Sequence, residues 1–195
     1  MKTAPALNHL EIKLTLPDWV RPFLKKNSPC STDEEKMRLA VALARENVLR
    51  GTGGPVGAAV FRDPGPELLA VGVNGVERLG NSVAHAEMVA IMLAEQGQGS
   101  YTLRIPAGPK TALFTTCEPC AMCLGAVLWS GLTRLVCGAP REAALALGFE
   151  EGPVFPESYR YLEDRGVEIV RGVLAGEARA VLRLYQERSE GIYNG

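Results

Sequence analysis

One histidine and a pair of cysteines constrain this chain of 195 residues more than any other feature. His85-Ala86-Glu87 is followed later in the chain by Pro119-Cys120-Ala121-Met122-Cys123. A histidine and two cysteines can bind a zinc ion through three protein ligands, which leaves the fourth position of the ion open for water. The fold therefore has to bring two separate segments together. Both segments are predicted to begin helices, and the two N-termini can converge on one metal.

The spacing indicates a chemical role for each residue type. Cys120 and Cys123 lie three residues apart at a predicted helix start, so both sulfurs face the same side of the first turn. The partial positive charge of a helix N-terminus favours thiolates over thiols. Zinc lowers the pKa of its bound water to about 7, and Glu87, which is not needed as a ligand, is placed to move the proton of that water. We therefore predict that His85, Cys120 and Cys123 bind one Zn²⁺ per chain and that Glu87 is catalytic.

Two alternatives use the same residues. Cys117 makes a closed, structural zinc site with four ligands possible, but it precedes Glu118-Pro119 at the end of a predicted strand and need not share the face of the other cysteines. A catalytically inactive, zinc-stabilised oligomerisation module is a second alternative, from a different class of protein. Neither alternative explains Glu87, because neither a structural site nor an inactive copy has a use for a proton shuttle.

Composition narrows the class of protein. The chain is 47% hydrophobic and 22% charged, as ordinary soluble globular enzymes are, and its length favours one large domain. A net charge of -1 offers no basic surplus for a nucleic-acid backbone, so no nucleic-acid partner is predicted. No signal peptide or apolar run of membrane-spanning length is seen, so no membrane association is predicted. Three of the five cysteines lie in one short segment, which suits metal binding in a reducing compartment and predicts a cytoplasmic protein.

Hydrophobic periodicity and turn residues predict an α/β domain over residues 31–189, between an N-terminal arm (1–30) and a C-terminal tail (190–195). Prolines interrupt the arm, and a capping box at 31–34 begins the first long helix. The predicted strands cover 56–61, 68–73, 112–116, 135–137 and 167–170; the predicted helices run from the capping box to 51 and over 84–96, 119–130, 141–147 and 177–188. The first two strands form a hairpin, and the later strands should be parallel. The result is a mixed sheet with helices on both faces.

Several of these segments together resemble the cytidine-deaminase superfamily. They are the segment 54–59, the region around Asn74, both zinc motifs and the segment 124–131. The spacing of the zinc motifs is that of zinc nucleobase deaminases. The resemblance, which runs from Pro55 to Ala139, implies a three-layer α/β/α sandwich with a five-stranded mixed sheet. It also implies one catalytic zinc per active site and an oligomer, here predicted to be a homodimer.

Two segments of the second half resemble the bacterial guanine deaminases of this superfamily, some of which also act on the triazine ammeline. These segments are Leu-Gly-Phe-Glu-Glu-Gly-Pro at 147–153 and Gly-Ile-Tyr-Asn at 191–194. Trp129 agrees with that group, since the tRNA adenosine deaminases usually carry a histidine there. Val56 departs from it, because the guanine deaminases commonly have a phenylalanine that stacks on the purine, whereas Pro-Val-Gly-Ala is common in the tRNA enzymes.

The resemblance also implies roles for residues outside the zinc motifs. Asn74 would be the amide that reads the substrate ring, with help from the backbone of Ala86. Glu151 would be a second catalytic acid, which handles the N1 edge of a purine and the departing ammonia. Substrate contacts are further predicted for three aromatic residues: Trp129, Phe149 and Tyr193.

Most of these positions have a plainer interpretation as well. Asn74 before Gly75 is an ordinary turn pair, and Glu151 in a Glu-Glu-Gly-Pro loop is usually a solvated acid. Trp129 would contact substrate from a neighbouring subunit or from the pocket wall, and otherwise belongs to the core or to a dimer interface. The Tyr193 region resembles a flap over the pocket, exchanged between subunits in some relatives, and otherwise is a frayed end.

The predicted activity is zinc-dependent hydrolytic deamination of a free purine base. The resemblance implies that the base is guanine and that the products are xanthine and ammonia. Water activated at the metal would attack C2 while Glu87 protonates N3, and Glu87 and Glu151 would share the transfers that release ammonia. The alternatives are a tRNA adenosine deaminase, or a deaminase of cytosine, ammeline or another small aminated ring. A near-neutral chain with a tail that closes its pocket favours a small nucleobase over RNA.

Overall fold

Five strands and eight helices make up the computed structural model, which describes residues 11–26, 31–188 and 192–194. The strands are β1 (Gly57–Asp63), β2 (Leu68–Val73), β3 (Lys110–Cys117), β4 (Arg134–Ala139) and β5 (Glu168–Val170). The helices are α1 (Val20–Lys26), α2 (Asp33–Leu49), α3 (Val76–Leu79), α4 (Ala86–Gln98), α5 (Ala121–Trp129), α6 (Arg141–Leu145), α7 (Pro156–Glu163) and α8 (Ala175–Arg188).

The strands form one mixed sheet in the order β2-β1-β3-β4-β5. β1 is antiparallel to both β2 and β3, whereas β4 is parallel to both β3 and β5. The hairpin follows from the turn residues Asp63-Pro64-Gly65, and the parallel pairs follow because helices return the chain between those strands. The predicted hairpin and the predicted parallel pairing of the late strands are confirmed.

Helices cover both faces of the sheet. α2 and α8 pack on one face, and α4, α5 and α7 pack on the other. Successive residues of β3 alternate between the two cores: Ala112 and Phe114 belong to the first and Leu113 belongs to the second, as the two-residue period of a strand requires. The predicted fold class, a three-layer α/β/α sandwich with a five-stranded mixed sheet, is confirmed.

The capping box of α2 lies one residue later than the sequence prediction. Thr32 is the N-cap, and its Oγ1 accepts from the N–H of Glu35 at 3.2 Å while Glu35 Oε2 accepts from the N–H of Thr32 at 3.1 Å. The Ser/Thr-x-x-Glu pattern occurs in two registers here, Ser31 with Glu34 and Thr32 with Glu35, so the pattern alone does not choose between them.

Three short helices, α1, α3 and α7, are missing from the sequence prediction. α1 lies inside the predicted N-terminal arm, where Pro22 argues against a helix. A proline in the first turn removes no intrahelical hydrogen bond, however, and α7 likewise begins at Pro156. Val20 of α1 is 2% exposed, so this part of the arm packs on the core.

Some of the sequence predictions fall outside the described residues. Both predicted domain boundaries are among them, since residues 27–30 and 189–191 lie outside the described ranges. Those boundaries stay predictions. Among the described residues, no helix combines the length and the apolar character that a membrane crossing needs.

Candidate active site

The two predicted metal-binding segments meet at one edge of the sheet. His85 is the N-cap of α4, which begins after β2, and Cys120 is the N-cap of α5, which begins after β3. The Nδ1 atom of His85 lies 3.6 Å from the Sγ of Cys120 and 3.6 Å from the Sγ of Cys123. All three donor atoms lie within 4.8 Å of one another, so the fold brings the predicted ligands together.

The donor atoms fit a tetrahedral zinc ion. Zinc–sulfur and zinc–nitrogen bonds of standard length place a nitrogen and a sulfur ligand about 3.6 Å apart on a tetrahedron, and both His85–cysteine distances are 3.6 Å. A hydrogen bond with Cys123 lowers the pKa of Cys120 to about 4, and His85 acts in the same direction although burial opposes it. Two sulfurs and one imidazole nitrogen form a donor set that suits zinc.

Cys117 does not belong to this group of donor atoms. It is the last residue of β3, and its Sγ lies 3.9 Å from the carbonyl oxygen of Pro140. Burial raises the pKa of its thiol well above the ordinary value, so the thiol keeps its proton. Among the described residues, the group that could hold a metal contains His85, Cys120 and Cys123 without Cys117. The geometry therefore favours three ligands over a closed Cys₃His site.

Glu87 lies beside the metal-binding atoms, in the first turn of α4. The side chain is 4% exposed; its Oε1 accepts from the hydroxyl of Thr115 at 3.0 Å, and its Oε2 lies 3.6 Å from the Sγ of Cys123. Burial raises the pKa of the Glu87 carboxyl, and the negative charge of Cys120 raises it further. A carboxyl group held in place with a raised pKa can accept and return a proton near neutral pH.

One pocket collects most of the predicted site residues. Its walls include the metal-binding His85 and Cys120 together with predicted catalytic and substrate-binding residues: Asn74, Glu87, Phe149, Glu151 and Tyr193. Val56 also lines the pocket. It is the residue at which this chain departs from the phenylalanine common in guanine deaminases. The structure thus places these side chains around one space next to the metal-binding atoms.

Asn74 is held at the pocket wall by buried hydrogen bonds. It follows β2 and is 2% exposed, and its Oδ1 accepts from the N–H of Val76 at 3.3 Å. The fully buried Asn47 of α2 donates from Nδ2 to the carbonyl oxygens of both Gly54 and Asn74, at 3.0 and 2.8 Å. Asn47 therefore joins the two loops on this side of the pocket. The sequence does not predict this role, because one asparagine within a regular helix carries no pattern that marks it.

Glu151 reaches the pocket from the loop after α6. Its carbonyl oxygen accepts from the N–H of Ala121 at 2.9 Å, which ties this loop to the first residue of the helix that carries Cys123. Burial raises the pKa of the Glu151 carboxyl to about 7, and the negative charges of Cys120 and Glu87 act in the same direction. Two carboxyl groups, Glu87 and Glu151, thus lie in the same pocket on different elements.

The described part of the C-terminal tail, residues 192–194, lies over this pocket in the same chain. The ring of Tyr193 contacts Phe149 and Tyr185, with centroid distances of 5.3 and 6.4 Å. The side chain of Asn194 accepts from the N–H of Glu150 and donates to the carbonyl oxygen of Gly148, both at 2.9 Å. The tail is therefore bonded to the loop that carries Glu151. Asn194 is a second residue that the sequence analysis misses, although it adjoins Tyr193.

Two predicted substrate-binding residues lie outside the pocket of their own chain. Trp129 is 81% exposed at the last position of α5, and nine residues of helix place it about 13.5 Å from the end that carries Cys120. Trp129 therefore does not line this pocket of its own chain, and its contact with substrate from a neighbouring subunit stays a prediction. Ala86 is fully buried behind Gly72 of β2, and only its backbone, in the first turn of α4, is near the metal-binding atoms.

The model of the family described as the cytidine and deoxycytidylate deaminase zinc-binding region matches residues 30–139, and the chain belongs to this family. The fold, the zinc-binding region and the family together define a zinc-dependent hydrolytic deaminase.

Particular relatives resemble the chain over most of its length. The guanine deaminase of Bacillus subtilis is 35% identical over 134 residues, which are 69% of this chain and 81% of the relative. The tRNA-specific adenosine deaminase of Haemophilus influenzae is 33% identical over 159 residues, which are 81% of this chain and 86% of the relative. The solved structure of the guanine deaminase of Nitrosomonas europaea is 36% identical, with a TM-score of 0.84, and the match covers 91% of this chain and 97% of that one.

Proposed function

We propose that this protein hydrolyses free guanine to xanthine and ammonia at a zinc ion bound by His85, Cys120 and Cys123. One observation carries the proposal: the carboxyl groups of Glu87 and Glu151 line the same pocket as the metal-binding His85 and Cys120, and the chain's own tail lies over that pocket. The similarity to two guanine deaminases, over 69% and 91% of this chain, supports the same substrate.

The proposed steps divide the proton transfers between two carboxyl groups. Zinc, when bound, supplies an acidified water next to Glu87. Glu87 takes the proton from that water and donates it to N3 of the ring, which prepares C2 for attack. Glu151 accepts a hydrogen bond from the N1–H of guanine while the hydroxyl group from the water bonds to C2. The two carboxyl groups then carry the remaining proton of that hydroxyl to the amino group, so that the C2–N bond breaks, ammonia departs and the C2 carbonyl of xanthine forms. Thr115 keeps Glu87 in place during these transfers, since its hydroxyl donates to Oε1.

The pocket also has the surfaces that a planar ring needs. Asn74 would read the polar edge of the base with its side-chain amide. Phe149 and Tyr193 offer aromatic faces within the pocket, so the proposal does not depend on a phenylalanine at Val56. An apolar pocket with a few fixed polar groups is what a small ligand requires.

The proposed substrate is tested by ammonia release from a panel of free rings. We expect guanine to react fastest among guanine, ammeline, adenine and cytosine. Adenine has an acceptor and no N–H donor at N1, so it cannot donate a hydrogen bond to Glu151. In a closed pocket, the loss of such a hydrogen bond strongly disfavours a substrate. If cytosine or ammeline is turned over much faster than guanine, that ring and not guanine is the substrate. The proposed zinc-dependent deamination would still stand.

The tail is proposed to close the pocket over the bound base. Deleting residues 190–195 should lower kcat/KM for guanine by about tenfold, because the open pocket admits water and holds the ring less well. Glu151→Gln should lower it further, by about 10²-fold, because the amide oxygen can still accept a hydrogen bond but the amide cannot carry a proton. Steady-state kinetics of ammonia release measure both effects. Unchanged kcat/KM in the deletion variant would contradict the closing role of the tail.

A glycine substitution tests the same role without removing any residue. A Cβ added to Gly54 would overlap with the ring of Tyr193, whereas Gly176 on α8 has open space around it. We expect Gly54→Ala to displace the tail and to lower kcat/KM for guanine while zinc content stays at the wild-type value. Gly176→Ala, the matched control, should leave kcat/KM unchanged. Equal kinetics in the two variants would mean that the position of Tyr193 does not matter for turnover.

We also propose that two copies of the chain associate through α4 and α5. Trp129 is 81% exposed and Met92 is 37% exposed on these helices, and Tyr101 between them in the same groove is 89% exposed. Met88 and Met122 line the groove as well. Contiguous apolar side chains at this exposure mark an interaction surface, and methionine and aromatic residues are enriched in protein interfaces. A contact of Trp129 with substrate would then take place in the pocket of the partner.

A charge in the groove should separate the copies. Trp129→Glu places an unpaired carboxylate in the proposed apolar interface and should convert a dimer into a monomer at micromolar concentration, as measured by sedimentation equilibrium. Leu145→Glu, at an exposed apolar residue of α6 that is 42% accessible, is the control and should remain dimeric. A wild-type protein that sediments as a monomer would contradict the proposal.

The proposed setting of the enzyme is the cytoplasm. Among the described residues, Cys117, Cys120, Cys123 and Cys137 are free thiols, and a reducing compartment keeps such thiols available for a metal.

A further inference from the structure

A carboxyl group next to the metal-binding cysteines has no role in the proposed reaction. Glu118 lies in the turn 117–120, which joins the end of β3 to Cys120. Its side chain is 13% exposed and reaches the same pocket as Glu87 and Glu151. A carboxylate this buried is costly unless cations or donors satisfy it, so its partners indicate what it does.

Three contacts fasten Glu118 to neighbouring elements. Its N–H donates to the carbonyl oxygen of Ala139 at the end of β4, at 2.9 Å. Its Oε2 accepts from the N–H of Arg141, the first residue of α6, at 3.3 Å. Its Oε1 forms an ion pair with the Nε of Arg171, just after β5, at 3.0 Å. The turn that delivers Cys120 is thus held against β4, α6 and the segment after β5 through one residue.

Arg171 is itself positioned by an aromatic ring. Its guanidinium carbon lies 4.2 Å from the ring centroid of Tyr159 on α7, and Tyr159 is 9% exposed. A planar guanidinium stacked on a fixed ring loses little freedom when it also binds a carboxylate. Contacts therefore run from α7 through Tyr159, Arg171 and Glu118 to the turn before Cys120.

We propose that Glu118 and Arg171 form a pair of positioning residues that keeps Cys120 at ligand distance and so slows the loss of zinc. The inference rests on the zinc site of the proposed function and does not depend on the substrate. Arg171 also balances the negative charge of the largely buried Glu118. Without Arg171, the buried carboxylate would lack its cation partner and be drawn toward solvent, and the turn would move with it. Residues that orient metal ligands from outside typically change metal affinity 10- to 100-fold when they are replaced.

The experiment measures zinc release from the purified holoprotein to a chromogenic chelator. We expect Glu118→Gln and Arg171→Met each to release zinc at least about tenfold faster than the wild type. The double variant should be no faster than the faster single variant, because the two residues act through one contact. Arg171→Lys should restore part of the slow release, since a cation returns without the planar fork.

A matched control separates this pair from general effects at the surface. Arg165 also stacks on a tyrosine, with its guanidinium carbon 3.4 Å from the ring centroid of Tyr161 at the end of α7. Arg165→Met should therefore release zinc at the wild-type rate. In cobalt-substituted protein, the thiolate charge-transfer band should shift in Glu118→Gln and not in Arg165→Met. A merely structural role would leave that band unchanged in any variant that remains folded.

The outcomes distinguish this inference from the proposed function. A wild-type protein that holds zinc, with wild-type release rates in Glu118→Gln and Arg171→Met, overturns the positioning role and leaves the deaminase proposal intact. Additive effects in the double variant also overturn the coupling. A wild-type protein that binds no zinc contradicts the proposed function itself. If Glu118→Gln does not fold, the zinc-release rates of Arg171→Met and Arg171→Lys test the proposal instead. The Arg171 side chain is 43% exposed, so these two variants are expected to fold.

Discussion

Glu87→Gln should retain zinc and the fold but deaminate guanine at least about 10²-fold more slowly, the lower range for loss of a general acid-base group. The side chain keeps its size, and its amide oxygen can still accept the hydrogen bond from Thr115 that holds Oε1 at 3.0 Å. Its amide cannot take a proton from water, however, so the transfer to the ring loses its carrier. A 10²-fold loss corresponds to about 2.7 kcal/mol of transition-state stabilisation.

The measurement compares kcat for ammonia release with zinc content by elemental analysis in the same preparation. The loss should appear in kcat, because the proton transfers follow binding. Thr115→Val, which removes the hydroxyl and keeps the carboxylate, should reduce kcat by less. Near-normal turnover in a zinc-loaded Glu87→Gln variant would show that another group carries the proton.

Replacing Cys120 should abolish both metal retention and activity, whereas replacing Cys117 should affect neither strongly. Cys120→Ala leaves His85 and Cys123 as a two-ligand site, and zinc in proteins is held by at least three such ligands in nearly every site. Cys117 donates toward Pro140 outside the donor group, so Cys117→Ala removes a buried thiol without touching the metal. Loss of one zinc ligand is therefore expected to be among the most damaging single substitutions in this chain.

Zinc content per chain and ammonia release measure this difference directly. We expect about one zinc per chain in the wild type and in Cys117→Ala, and almost none in Cys120→Ala. Removal of the metal from the wild type with a strong chelator should stop turnover, and added zinc should restore it. Loss of zinc from Cys117→Ala in a folded protein would instead favour the closed, four-ligand site.

The sequence is most informative where the chemistry depends on residue type at a fixed short spacing. The histidine and the two cysteines are recognisable because metal ligation demands them, and helix N-termini place His85 and Cys120 without any long-range information. The mixed sheet follows for a related reason, since turn residues define the hairpin and intervening helices impose parallel strands. These local rules are enough to predict both the layers of the fold and the metal-binding group.

Contacts between distant segments are harder to predict from the sequence. Asn47 joins Gly54 to Asn74 across the pocket wall, and Asn194 joins the tail to the loop before Glu151. Asn47 has no periodicity or motif that marks it, and the Gly-Ile-Tyr-Asn segment does not indicate what Asn194 bonds to, so only the folded arrangement reveals these contacts. For Trp129 the reverse is true. The sequence marks it as a substrate-binding residue, but the fold places it at the exposed end of α5, far from the pocket of its own chain.

The most direct test of the account is a competition between guanine and a tRNA anticodon stem-loop for the same zinc-loaded enzyme, with Glu87→Gln as the blank. We expect xanthine and ammonia to form from guanine at the higher kcat/KM. We also expect the rate to change little between low and moderate salt, because few phosphates would be contacted. Faster conversion of adenosine to inosine in the stem-loop, with strong salt dependence, would contradict the account and identify the protein as an RNA-modifying deaminase.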